Sequence, residues 1–168
     1  MENINPTRKR EFELGSFFPY LVRIFYRSVS SSVSNIYATR FNLSVSEWRT
    51  MAVLGSHGIL SASEIVEQSS MDKVNVSRAV KALQKRGFLK RDIDGDDKRK
   101  AVLRLTDNGR EAYQILAPLL LDLESTLLEG LSEEEVATLL RLMEKVRENA
   151  NKSLSHAREK DLEHSSSA

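Results

Sequence analysis

The chain has 168 residues, of which 40% are hydrophobic and 29% charged, enough for one compact domain or two small ones with a real core. It contains no cysteine, which excludes disulfides, thiolate nucleophiles, cysteine-ligated zinc and thiol-based redox sensing. The formal net charge of +1 conceals a split: residues 71–104 carry eleven Lys or Arg against five acids, a net of +6, whereas residues 105–150 carry four against ten, a net of −6.

A basic block of that size supplies contacts able to release counterions from a phosphate backbone, and its bland alternative is a solvated face. The longest stretch without a charged residue, Thr50 to Ser63, falls short of the roughly 20 apolar residues of a membrane helix. Residues 1–10 lack the apolar core and cleavage site of a secretory signal. The expectation is a cytoplasmic protein without membrane association.

In chain order, residues 1–13 lack periodicity and read as a flexible arm. From Phe18 to Tyr37 the apolar residues recur at helical spacing, predicting a long amphipathic helix. Five serines between Ser28 and Ser34 point to a close helix approach in preference to a polar cavity, because serine is a mediocre helix former. Ser44 or Ser46 caps a second helix through Trp48, Met51 and Leu54, ended by the Gly55–Gly58 turn. Ser61 with Glu64 forms a capping-box pattern that opens a short third helix. Asp72 caps a fourth, with Val76, Ala79, Val80 and Leu83 on one face and Gly87 at its end. Residues 88–93 and 101–105 read as two strands joined by the charged segment 94–100, a β-hairpin. Thr106 caps a leucine-rich helix that Pro118 should kink. A second capping box, Ser132 with Glu135, starts the last helix, and the polar tail from Asn151 is expected to fray.

Three helices followed by a hairpin make a winged helix-turn-helix, so the fold class is mainly α with a small β-hairpin wing, flanked by N- and C-terminal dimerisation helices. The organisation is an arm (1–13), a first dimerisation helix (14–43), the winged module (44–105), C-terminal dimerisation helices (106–150) and a tail (151–168). The major groove of B-DNA, about 12 Å wide, admits one helix with an apolar back and a face of donors. Lys73, Asn75, Ser77, Arg78 and Lys81 supply that face, with Lys85 further along. Asn makes paired hydrogen bonds to adenine and Arg to guanine, whereas the lysines suit phosphates. In the hairpin tip, Asp97, Lys98, Arg99 and Lys100 form a second candidate contact: Arg99 enters the minor groove, and Asp97 holds it extended. A merely solvated turn is the alternative there.

Other chemistry fares poorly. Asp92, Asp94 and Asp96 match the start of a calcium loop, but Asp97 stands where Gly is required and Leu103 where a bidentate Glu is required. The histidines His57, His156 and His164 have no metal-ligand spacing. Neither a glycine-rich phosphate loop nor a nucleophile elbow occurs. The expectation is no metal, no cofactor and no catalysis.

Between about Leu14 and Ala150 the chain resembles MarR-family transcriptional regulators. The resemblance rests on Leu43-Ser44-Val45-Ser46-Glu47-Trp48-Arg49, on Val76-Ser77-Arg78-Ala79-Val80 through Arg86-Gly87-Phe88-Leu89, and on Asp97-Lys98-Arg99 through Leu103-Arg104-Leu105-Thr106. It implies that Asp97 and Arg99 are the wing pair, that Lys73 to Arg78 face DNA, and that the chain ends assemble a homodimer. Gly95 stands where such wings often carry proline, which loosens the tip. A two-fold dimer implies a pseudo-palindromic site on double-stranded DNA, and the leucine-rich stretch Leu116–Leu128 fits a chain-to-chain interface. The resemblance further implies release from DNA by a small aromatic or phenolic effector, a carboxylate or thioester, in a repressor. Candidate lining groups are Arg23, Arg27, Ser28, Ser31, Trp48, Arg49 and His57; a core tryptophan and surface arginines are the plainer reading of each. A winged-helix module that binds a protein without DNA is the alternative function.

Overall fold

The computed structural model describes residues 12–93 and 101–165, with side chains placed through Asp92 and from Ala101 to Ser155. After a single 3-10 turn at Leu14–Ser16 come six helices and one hairpin among the described residues: α1 Phe18–Phe41, α2 Val45–His57, α3 Ala62–Ser69, α4 Lys73–Lys85, β1 Leu89–Ile93, β2 Ala101–Leu105, α5 Asp107–Leu127 and α6 Glu133–Ser165. They divide between two compact units at Glu124 and Ser125.

In the first unit, the helix ends follow from local chemistry. Helix α1 carries Pro19 in its first turn, where the missing amide hydrogen costs nothing. It stops at Asn42, in the left-handed region (φ 47°), whose amide returns to the Ala38 carbonyl at 2.8 Å. Three of the five serines of α1 bond within the helix. Ser28 and Ser32 donate to the carbonyls four residues back, each at 3.2 Å, and Ser34 to that of Ser31 at 3.1 Å. Such back-bonding satisfies the hydroxyls without a polar cavity.

Full capping boxes open α2 and α3. The Ser44 amide donates to Glu47 at 2.7 Å and the Glu47 amide to Ser44 Oγ at 3.2 Å; Ser61 and Glu64 repeat the exchange at 2.6 and 3.3 Å. Helix α2 does not stop at Gly55 but continues to His57 and ends at Gly58 (φ 86°). Gly55 lies within the helix, and the Tyr113 ring of α5 leaves no room for a side chain there: a Cβ would stand 2.6 Å from that ring.

The hairpin is antiparallel, with Leu89 opposite Leu105 and Arg91 opposite Leu103. Leu60, between α2 and α3, adds an isolated bridge to β2 by exchanging two backbone hydrogen bonds with Leu103, at 3.1 and 2.7 Å. Thr106 caps α5 by accepting from the Gly109 amide at 3.1 Å. Helix α5 continues past Pro118 as one element. The core is formed by Tyr37, Leu43, Met51, Leu54, Ile65, Val76, Leu83, Leu89, Leu103, Leu105, Ala112 and Leu116. Full burial of each large aliphatic side chain contributes about 1.5–3 kcal/mol, so this cluster fixes how the module's helices pack.

In the second unit, the Ser132–Glu135 box starts α6, with the Ser132 amide donating at 2.8 Å and the Glu135 amide at 3.3 Å. The expected fraying from Asn151 is not what the structure has, since α6 runs to Ser165. Residues 150–165 contain neither Gly nor Pro and are rich in Ala, Leu, Lys, Arg and Glu, so high helix propensity prevails over their polarity. Among the described residues no helix is long and apolar enough to cross a membrane.

Candidate nucleic-acid interface

Helix α4 is built to present one face. Asp72 receives the Asn75 amide at 2.8 Å and the Asn75 side-chain amide at 2.6 Å. The first of these hydrogen bonds is the main reason its carboxyl is held below the usual aspartate range. Val76, Ala79 and Leu83 are buried and anchor the helix on the core, while Lys73, Asn75, Ser77, Arg78, Lys81 and Lys85 are all exposed. The helix therefore has the apolar back and donor-bearing front that groove entry requires. Asn75 departs from the simple reading, because its side-chain amide already serves Asp72.

Beside this face, α3, α4 and the hairpin enclose a groove of about 560 Å³. Lys73, Ser77 and Lys81 line it from α4, Arg91 from β1 and Glu67 from α3, over a floor that includes Val66, Val80 and Leu103. Arg91 was not among the residues picked from sequence. The signal available was its pairing opposite an inward Leu103, which only the hairpin register reveals. The wing residues Asp97, Lys98, Arg99 and Lys100 lie outside the described residues. At the base of the wing, Arg104 Nε donates to Asp92 Oδ2, so Asp92 serves an ion pair across the hairpin. Among the described residues no cluster of His, Asp or Glu is arranged to hold a metal.

The residues expected around an effector separate into two sets. Trp48 is half-buried and stacks between Tyr37 and Tyr113, with ring centroids 5.9 and 6.1 Å away. Arg49 is half-buried nearby. Burial pushes the Tyr37 hydroxyl pKa up, and the Arg49 charge partly opposes that shift. Arg23, Arg27, Ser28 and Ser31 stand exposed along α1, and His57 is exposed at the end of α2. A small hollow of about 250 Å³ between α1 and α5 is lined by Asn35, Ile36, Thr39, Arg40 and Leu119, none of them in either set.

Capped helices, a bridged hairpin and a helix with an exposed basic face define the fold class, a winged helix-turn-helix. Residues 43–101 match the MarR family model. The HTH-type transcriptional regulator YwaE of Bacillus subtilis is 30% identical over 109 residues, 65% of this chain and 64% of its own length, so the match spans just under two thirds of that relative. A MarR/EmrR family transcriptional regulator from Acinetobacter sp. ADP1 superposes with a TM-score of 0.75 at 26% identity, covering 84% of this chain and 99% of that one. The S. aureus MepR–DNA complex superposes at 0.72 and 20% identity, over 80% and 96%. Residues 43–101 thus resemble the MarR family, and the fold of the chain is similar to that of solved MarR-family regulators.

Proposed function

We propose that this regulator is a homodimer that sets two α4 helices into successive major grooves of a pseudo-palindromic operator, acts as a repressor in the cytoplasm, and is released by a small aromatic anion. The observation that carries the DNA reading is the row Lys73, Ser77, Arg78 and Lys81, exposed on a helix whose opposite side is locked into the core. Arg78 is assigned to guanine and the lysines to phosphates. Arg99, oriented by Asp97, is assigned to the minor groove. A structure of similar fold is a complex with DNA, which supports DNA as the partner.

The test is a salt titration of binding to duplex DNA. Affinity is expected to fall steeply and log-linearly with salt, and Lys81→Ala to reduce the slope by about one while weakening all sequences alike. A flat response would show that the basic face serves another partner. For the effector, Arg beside an aromatic wall suits an aromatic carboxylate, and Arg49 next to the Tyr37–Trp48–Tyr113 stack is the local arrangement that supports it. Aromatic carboxylates and their thioesters are expected to raise the melting temperature by mass action and to lower operator affinity in the same concentration range. A panel that moves neither quantity rejects this effector class.

A further inference from the structure

Arg86 follows the last residue of α4, and its side chain turns to the end of α1. Its Nη2 donates to the Phe41 carbonyl, and its Nη1 donates to the Asn42 carbonyl at 3.0 Å. Nη1 also stands 3.7 Å from Glu47 Oε1, and the guanidinium carbon lies 4.9 Å from the centre of the Phe88 ring. The carbonyls it takes are at the C-terminal end of α1, where helices leave acceptors unpaired and carry partial negative charge. The other Glu47 oxygen accepts from the Ser44 amide at 2.7 Å and so opens α2. One side chain thus ties the exit of α4 to the end of α1, the start of α2 and the residue before β1. The adjoining residues extend the knot to α5: Thr106 donates its hydroxyl to the Gly87 carbonyl at 2.6 Å and its amide to that of Phe88 at 3.1 Å.

We infer that Arg86 is a positioning residue for operator recognition, one that never touches DNA but fixes the direction of α4 relative to α1. This rests on the dimeric reading above, in which the setting of each module on its long helix decides how far apart the two reading helices stand. A planar fork is needed to serve two carbonyls and a carboxylate together, so lysine is an inadequate substitute.

The experiment uses duplexes selected from a random pool by the wild-type protein, intact or with one half-site scrambled. Wild-type protein is expected to prefer the intact duplex by ~100-fold, the advantage of a rigid bivalent arrangement. In Arg86→Met that preference falls to ~10-fold or less, while affinity for the scrambled duplex stays at the wild-type value because α4 keeps its own face. One base pair inserted between half-sites penalises the wild-type protein and leaves Arg86→Met nearly indifferent. Arg86→Lys, which keeps the charge, gives an intermediate preference and carries the test should the methionine variant fail to fold. An unaltered preference in the variants overturns the role of Arg86 alone, and equal losses on both duplexes reduce it to general stability. A wild-type protein that ignores the second half-site overturns the dimeric reading, and this inference with it.

Discussion

Asp72 shows how one side chain controls the presentation of a reading helix. Its carboxylate takes the amide of Asn75 and also its side-chain amide, so the first turn of α4 is held at the point where Lys73 and Asn75 face outward. Because those hydrogen bonds favour the ionised form, the carboxyl pKa lies below its unfolded value. The cap therefore stabilises the fold fully above the ordinary aspartate range, and that contribution is lost as pH falls through the lowered folded pKa. Asp72→Ala is expected to melt below the wild-type protein at neutral pH, with the gap closing on acidification. Thermal melts across an acid series check this, and a gap that is constant with pH contradicts it. DNA affinity at neutral pH should fall as well, since a frayed first turn displaces Lys73 and Asn75.

At the scale of elements, what was legible in the sequence was what local spacing encodes. The Ser61 and Ser132 boxes each need only a hydroxyl and a carboxylate three residues apart, and both are formed; of the two caps open for α2, Ser44 is the one used. Strands expected at 88–93 and 101–105 are found at Leu89–Ile93 and Ala101–Leu105. Distant partners were not legible. The Leu60–Leu103 bridge joins residues far apart in sequence, and no periodicity announces it. Gly55 reads as part of a helix-ending turn in isolation, yet it is an interior helical residue against which the Tyr113 ring packs. Polarity after Asn151 suggested fraying, although composition without Gly or Pro favours the continued α6. In the interface itself, the α4 face was legible as a helical stripe, whereas Arg86 and Arg91 acquire their places only from the tertiary arrangement.

At the scale of the whole molecule, the basic middle and acidic later part of the chain give a polarised distribution that overall neutrality hides. Helix α1 is the other conspicuous asymmetry. Phe18, Leu21 and Phe25 lie on it at helical spacing and are 54%, 46% and 53% exposed, a patch that a monomeric protein rarely leaves uncovered. A second copy is its expected cover. Replacing all three with serine should convert a dimer into a monomer in sedimentation equilibrium, each position losing burial of about 1.5–3 kcal/mol, and should lower affinity for a two-half-site duplex to that for a single half-site. A triple variant that still sediments as a dimer assigns the contact to other surfaces.

The strand of hydrogen bonds that Leu60 contributes to β2 has one further consequence. With β1 paired on one edge and Leu60 on the other, β2 is laced into the module from both sides. Severing the backbone anywhere between Ile93 and Ala101 would therefore leave two pieces still clasped together. New chain termini there would separate the assembly of the module from the minor-groove contact assigned to Arg99.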